Sequence, residues 1–488
     1  MKIRSLLLIN LFIHLLFAYV LPLSNDEAYY WDWGQNLHLS FKDHPPGISW
    51  LTLVSDLFGI GFLKVRLLSP FLHTVILFFA FKTLDIAMSQ LGKKPSSRMH
   101  NALFLLLLTS PGLCLIGSVS IPDIGLMAVM QALCYVLISW VGRDQLKLVD
   151  ALVAGILLGV AGLFKYHALP LAGGLMLGFV WIRRQSVARD ISFYLLAALV
   201  GFLLCMPVWI WNMLHDWASF RYQAAHGFSS GSWSLILPLQ AIAAITLLIG
   251  PGIIWVIGFA RPKFNKNYIS AAEAVVFPAF IILIGLILLA ALRKPILPHW
   301  TMPAFALALP IVLARMPSDK LRKAMRFQYI YGGFVGAVVL TLSLSFTSPQ
   351  MWLGQFDGDP KYLSELTVWD PLSKELEKQL EDKSLPLDSK CSGQIYLAAP
   401  RWYAVSQLQY RLRLKEGVLL LSDDLNDYYS LRDKNLWPKV CNIAVVLGPR
   451  QSLPESLMTQ FKVLEEKKLD IKFHEKLDWR LVYLRKKA

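Results

Sequence analysis

The chain has 488 residues, of which 17% are charged, against roughly 25% in ordinary soluble domains. Residues 347–488 hold 22 Lys+Arg and 20 Asp+Glu, so 42 of the 81 charges fall in the last 142 residues. The first 346 residues keep 26 Lys+Arg and 13 Asp+Glu between long apolar runs, which excludes a soluble enzyme, a disordered chain and a disulfide scaffold there and calls for a membrane region followed by a soluble domain.

Runs long enough to cross about 30 Å of hydrocarbon as helices lie at about 5–23, 63–84, 101–118, 124–142, 148–164, 168–182, 192–212, 235–259, 272–292, 301–316 and 327–346. These are eleven expected spans, several containing proline (Pro170, Pro207, Pro303, Pro310), which neighbouring helices accommodate in a bundle. Lys2 and Arg4 precede the first run without a small-residue cleavage site, so the start reads as a span rather than a removed leader. Counted in alternate loops, Lys and Arg number 19 on the side of the N-terminus and 7 on the other, with 6 and 7 acids respectively. Cations accumulate on the cytoplasmic side, so the net charge of +15 reports topology and not nucleic-acid binding, which needs a clustered basic face. An odd span count puts the tail on the outer side.

The tail reads as a small α/β domain, with strand-like runs Gln394–Ala399, Val418–Leu421, Ile443–Leu447 and Trp479–Leu484 and helix-like runs Trp402–Leu414 and Glu455–Glu466. The expected architecture is a polytopic α-helical membrane protein, residues 1–346, with a soluble C-terminal α/β domain, residues 347–488. Of five cysteines, Cys114, Cys134 and Cys205 lie in apolar runs. Cys391 and Cys441 lie in the tail, where an oxidising compartment permits a disulfide.

The first outer loop, about 24–62, carries Asp26, Glu27, Asp32, Asp43 and Asp56, together with His38, His44, Tyr29, Tyr30, Trp31, Trp33 and Pro45-Pro46. Carboxylates at the lipid boundary cost desolvation and so mark function; the plain alternative is a solvated connector. Asp26 and Glu27 directly follow the first span, and the residues after them suit an interfacial helix with its aromatics at headgroup level and Asp32 on its solvated side. Asp123 is the only charge in the turn between the third and fourth spans, where it either caps a helix or serves chemistry. Lys165 is the sole cation of another tight outer turn; it either snorkels or holds a phosphate. Arg221 and Arg293-Lys294, with His299 near them in sequence, complete a sparse ring of cations on that face, a set suited to a phosphate and a divalent metal.

At Asn25-Asp-Glu-Ala-Tyr-Tyr-Trp-Asp-Trp33, Phe41-Lys-Asp-His-Pro-Pro46, Pro122-Asp123, Leu163-Phe-Lys-Tyr166, Trp211-Asn212 with His215-Asp-Trp-Ala-Ser-Phe-Arg221, and Pro298-His-Trp-Thr-Met-Pro303, the chain resembles the polyprenyl-phosphate-sugar-dependent glycosyltransferases of the GT-C fold. That group contains the protein O-mannosyltransferases and the bacterial lipid A aminoarabinose and galacturonic acid transferases. The resemblance implies Asp26 as leading catalytic carboxylate and Asp123 as a second essential acid, and Glu27 is a further candidate from its place next to Asp26. It implies His44, Lys165 and Arg221 at the donor phosphate, where the outer-face cation Arg293 is also a candidate, and it implies Asp43, with His44 and His299, around a divalent metal of unassigned identity. His44 stands where the aminoarabinose transferases often place Lys. The tail's Leu397-Ala-Ala-Pro-Arg-Trp-Tyr403 and Leu408-Gln-Tyr410 look like the outer domain of this bacterial subgroup.

The function so implied is transfer of a sugar from a polyprenyl (undecaprenyl) phosphate to an acceptor on the outer face of a bacterial inner membrane. The acceptor is lipid A, lipopolysaccharide or another envelope glycolipid, and inversion at the sugar is expected by family. A protein O-glycosyltransferase is the alternative within the fold. A transporter or lipid flippase, which would place charges in mid-span and show inverted repeats, and a noncatalytic scaffold are the alternatives outside it.

Overall fold

The computed structural model describes residues 1–228, 232–259, 269–347, 368–381, 395–421, 428, 440–471 and 478–487. The chain divides into two compact units: Met1–Tyr19 with His38–Val339, and Val20–Leu37 with Leu340–Ala488.

The first unit is helical. Its elements are α1 (Ile3–Val20, shared with the second unit at its last residue), α3 (Gly47–Phe58), α4 (Leu63–Arg66), α5 (Leu68–Gln90), α6 (Ser97–Thr109), α7 (Pro111–Ile116), α8 (Pro122–Trp140), α9 (Leu148–Gly162), α10 (Ala168–Ile182), α11 (Ile191–Leu204), α12 (Met206–Leu214), α13 (Ala218–Phe228), α14 (Ile236–Ile249), α15 (Pro251–Phe259), α16 (Ala271–Ala291), α17 (Met302–Arg315) and α18 (Ser318–Thr347, shared with the second unit from Leu340 on). Helix α2 (Asn25–Gln35) falls in the second unit. Among the described residues four helices, α1, α5, α8 and α16, are long and apolar enough to cross a membrane, or six spans if each of two bent pairs counts as one. The eleven expected runs all carry helix, but the run 192–212 is bent by 49° between α11 and α12 and the run 235–259 by 106° between α14 and α15.

The sharper bend is supplied with hydrogen bonds. Gly250 sits at φ +95°, a backbone region that favours glycine. The fully buried Gln328 side chain lies across the break, accepting from Gly252 N at 2.9 Å and donating to Ile249 O at 3.3 Å and Thr109 O at 3.0 Å. Freed backbone groups in hydrocarbon need such a partner.

Elsewhere small residues set the helix spacing. In Gly174-Leu-Met-Leu-Gly178 a Cβ would meet backbone atoms of α16 at 2.3 Å (Ala279) and 2.1 Å (Ala274 O). In Gly155-Ile-Leu-Leu-Gly159 it would meet Val200 and Leu204 of α11 at 2.7 and 2.6 Å. Both are the glycine-every-fourth-residue spacing that lets membrane helices approach backbone to backbone. Charges at helix ends are paired: Arg143 with Asp150 at 2.7 Å, Arg183 with Asp190 at 2.6 Å, and Arg315 with Glu273.

The second unit contains α19 (Trp369–Glu381), β1 (Ile395–Ala399), α20 (Trp402–Leu412), β2 (Leu419–Leu420), β3 (Asn442–Leu447), α21 (Glu455–Gln460), β4 (Phe461–Lys468) and β5 (Arg480–Lys486). The sheet order is β2-β1-β3-β5-β4, with β2-β1 and β1-β3 parallel and β3-β5 and β5-β4 antiparallel. Ile443, Val445 and Leu447 pack with Val482, Leu484 and Phe461 as its core. The expected helix Glu455–Glu466 is half right: after one turn it becomes the edge strand β4, whose exposed Lys and Glu faces mimic a helical surface pattern. Cys441 is disulfide-bonded; Cys391 lies outside the described residues. Cys114, Cys134 and Cys205 are free.

Within this unit α2 packs on α20. Ser24 and Glu27 form a capping box that starts α2. Tyr29 and Trp31 meet Trp402 and Tyr410 with ring centroids 5.0 and 5.2 Å apart, and the Arg413 guanidinium lies 4.0 Å over Trp31. Gln407 donates to Asn25 Oδ1 at 2.9 Å and Leu23 O at 3.2 Å, and Tyr428 OH donates to Asp32 O at 2.9 Å. The expected interfacial helix is therefore a buried one: every residue from Glu27 to Gly34 is buried. Asp32, expected on a solvated side, is 1% exposed, with the Tyr428 hydroxyl against its backbone carbonyl.

Candidate functional site

In the first unit two sequence-distant residues meet. Lys165 Nζ donates to both carboxylate oxygens of Asp123, at 2.8 and 2.7 Å, and both residues are buried, 3% and 1% exposed. Pro122 at the first turn of α8 starts the helix, whose N-terminal amides favour the carboxylate. Lys165 lies in the tight turn between α9 and α10. That turn is locked by Phe164, which fills the space left by two glycines: a Cβ on Gly47 or Gly125 would come within 2.8 and 2.3 Å of its ring. Gly47 N also donates to Leu163 O at 2.7 Å.

Three imidazoles surround this pair electrostatically. Burial and then the Lys165 charge push His44 and His167 down to about 3, with Asp123 opposing. Burial lowers His299 as well. All three are neutral at physiological pH, so Lys165 is the cation of this cluster. His167 faces Trp300 with centroids 5.7 Å apart.

The loop that carries Asp43 and His44 is held by α13: Gln223 Nε2 donates to Asp43 O at 2.6 Å, and Lys42 lies 5.5 Å over the Tyr222 ring. Helix α13 in turn exists because Asn212 caps it, its Oδ1 accepting from Ser219 N and Phe220 N at 3.2 Å each. Asp216 and Trp217 make the turn in left-handed conformations, and His215 stacks on Trp211 at 4.2 Å. Tyr166 OH and Ser219 Oγ, 2.5 Å apart, tie this cap to the turn of Lys165. The Trp211-Asn212…Arg221 pattern is thus a helix-start device; Tyr166 and Asn212 stand in the quoted motifs without a role assigned from sequence, and Gln223 is a residue that sequence reasoning passed over, because its contact with the Asp43 loop carries no signal until the chain is folded.

The remaining candidates stand as follows. Arg221 is exposed on α13. Arg293 is exposed and lies 4.7 Å over Trp233. Asp26 and Glu27 belong to the second unit. Asp26 is exposed, whereas Glu27 is fully buried, its Oε2 accepting from Ser24 N at 3.2 Å and Ser24 Oγ at 2.9 Å. Glu27 accordingly has a capping task. Among the described residues no three His, Cys, Asp or Glu side chains gather closely enough to hold a metal ion, so Asp43, His44 and His299 do not form a closed ligand set.

Residues 43–211 match the family model described as dolichyl-phosphate-mannose-protein mannosyltransferase. The chain is 27% identical over 286 residues to the lipid A galacturonosyltransferase RgtD of Rhizobium johnstonii, the match covering 57% of this chain and 58% of that protein. Among solved structures it superposes on ArnT from Cupriavidus metallidurans bound to undecaprenyl phosphate with a TM-score of 0.65 at 13% identity, covering 99% of this chain and 97% of ArnT. The apo ArnT structure gives 0.60 at 12% identity, covering 98% of each chain. A helical bundle with a small mixed-sheet unit, superposing on ArnT over nearly its whole length at 13% identity, has the GT-C fold that ArnT has, and residues 43–211 carry the match to the mannosyltransferase family model.

Proposed function

We propose that this chain transfers a sugar from a polyprenyl-phosphate donor to an acceptor of the lipid A class at the outer face of a bacterial inner membrane, with its N-terminus cytoplasmic and its C-terminal unit periplasmic. The observation that carries the reading is the buried Lys165–Asp123 pair inside the segment that matches the mannosyltransferase family. The likeness to a lipid A galacturonosyltransferase and to ArnT, crystallised with undecaprenyl phosphate, supports the acceptor and donor classes.

In the proposed reaction the bond between the anomeric carbon and the donor phosphate oxygen breaks, the phosphate leaving with the electron pair, while an acceptor oxygen forms the new bond. Lys165 neutralises the leaving phosphate, as a preorganised cation in a dry site does best. Asp123 holds Lys165 aimed until the phosphate arrives. Asp26 orients an acceptor hydroxyl and takes its proton; an acceptor phosphate, already ionised, would need orientation alone. His44 contributes as a neutral hydrogen-bonding group. Arg221 and Arg293 act as outer cations that draw the donor phosphate in. A divalent metal, if held by Asp43, His44 and His299, would add positive charge at the donor phosphate.

The test compares envelope glycolipids of a deletion strain and its parent by mass spectrometry, followed by transfer assays of the purified chain with polyprenyl-phosphate sugars, with and without chelator. A lipid A species lost on deletion and restored by the gene is expected. Unchanged glycolipids together with an altered mass on envelope proteins would replace the lipid acceptor by a protein one, the reading that the family model's own description favours.

A further inference from the structure

A cleft of about 750 Å³ lies between the start of α6 and the first half of α18, within the first unit and away from the Lys165–Asp123 cluster in sequence. Arg98 and Asn101 wall it on one side and Arg322, Arg326 and Tyr329 on the other, over apolar side chains that include Leu105 and Ile330. The Met1 α-amino group donates to Asn101 Oδ1 at 3.3 Å, which adds a fourth positive group at the rim.

The three arginines are exposed, and none takes part in an ion pair among the described residues. Their neighbours at other helix ends behave differently: Arg143, Arg183 and Arg315 each have a carboxylate within contact. Converging guanidinium groups over an apolar floor repel one another unless an anion joins them. A phosphate suits the guanidinium fork, and a soluble phosphate would leave the floor wet. From Ile330 in the cleft, 64% exposed, the apolar surface continues along α18 to the exposed Phe327 and Phe334, at 51% and 68%.

We propose that this cleft binds one anionic phospholipid, its phosphodiester held by Arg98, Arg322 and Arg326 and its acyl chains lying along Leu105, Ile330 and Phe334. Basic clefts between membrane helices hold lipid headgroups by this combination. The site requires membrane insertion of α6 and α18 and is independent of the proposed glycosyl transfer.

The test is native mass spectrometry of the full chain in detergent, titrated with phosphatidylglycerol, phosphatidylcholine or glycerol 3-phosphate. One retained phosphatidylglycerol is expected, at least roughly tenfold tighter than phosphatidylcholine or glycerol 3-phosphate. Arg322→Ala with Arg326→Ala should weaken it roughly thirtyfold, the factor for two lost cation contacts at about 1 kcal/mol each. Arg322→Lys with Arg326→Lys, which keeps both charges, should stay within about threefold of the wild type by the same scale. Lys94→Ala with Arg184→Ala, exposed cations outside the cleft, should change nothing. Equal affinity for both phospholipids, equal losses in the cleft and control pairs, or glycerol 3-phosphate binding as tightly as the lipid would each overturn the proposal. If the double alanine variant fails to fold, the wild-type lipid comparison and the lysine pair still decide it.

Discussion

Lys165 and Asp123 exchange two short hydrogen bonds where neither meets water, so removing one partner strands a buried charge. Lys165→Met should cost about 3–5 kcal/mol of stability, and adding Asp123→Asn should recover at least half of that loss while transfer stays abolished. Thermal unfolding of the three proteins in detergent checks it; a double variant as unstable as the single one would mean that the pair has no shared energy. His167 beside them gives a pH signature. Its pKa lies near 3 in the folded protein and near 6.5 when unfolded, so below about pH 6.5 the unfolded chain takes up a proton that the folded one refuses. Stability therefore falls as pH drops from about 6.5 towards 3, and His167→Gln should flatten that slope in melting experiments at pH 7, 6 and 5. Asp26 and Asp32 separate the two fates of carboxylates on α2. Asp26→Asn, at an exposed position, should lower transfer by roughly 10²–10⁴, as for loss of a general base, at normal abundance. Asp32→Asn alters a buried group and should lower the amount of folded protein instead; a normally abundant, transfer-dead Asp32→Asn would reverse these roles.

Helix contacts explain why some of this architecture could be foreseen and some could not. Apolar runs of about 20 residues are local facts, so the helical segments of the first unit, the strands β1, β3 and β5 and the helix α20 were legible from residue order. The turn at Gly250 was not, because it depends on Gln328, 78 positions away, lending its amide to a broken backbone. Nor was the burial of α2: its aromatics look interfacial until Trp402, Tyr410 and Arg413 are known to cover them. At the site, the kinds of residue at Asp123 and Lys165 were visible, but their pairing joins two turns 42 positions apart. Close helix approach offers a contrast within α10. Gly178→Ala would put a methyl 2.1 Å from Ala274 O, a backbone atom that cannot rotate away, whereas nothing lies within 4 Å of a Cβ on Gly173. Overpacking of this kind costs about 1–3 kcal/mol, so Gly178→Ala should lower the melting temperature clearly. Gly173→Ala should leave it unchanged or raise it slightly, by the alanine preference of helices. Equal melting temperatures for the two variants would show that α10 and α16 have room to separate.

At the scale of the whole molecule, the side on which the second unit lies depends on whether the bent pair α14–α15 crosses the membrane or turns back, a choice its 106° bend leaves to other evidence. Charge supplies it. If residues 235–259 cross, Lys and Arg divide 19 against 7 between the two faces; if they turn back, every later loop changes side and the division becomes 13 against 13. Membrane insertion follows cation bias, and a chain with no bias would have nothing to orient it. The crossing arrangement is therefore expected, with Ala488 on the face opposite Met1. A reporter active only in the cytoplasm, fused after Ala488, should be silent, while the same reporter fused in the Arg183–Asp190 segment should be active. Activity at both positions would mean that α14 and α15 form a re-entrant hairpin. The C-terminal unit would then lie in the cytoplasm while α2, which follows the single span α1, stayed on the opposite face, so the packing of α2 on α20 could not form. That result would overturn the contact between the two helices and leave Asp26 without the cover that α20 gives its helix.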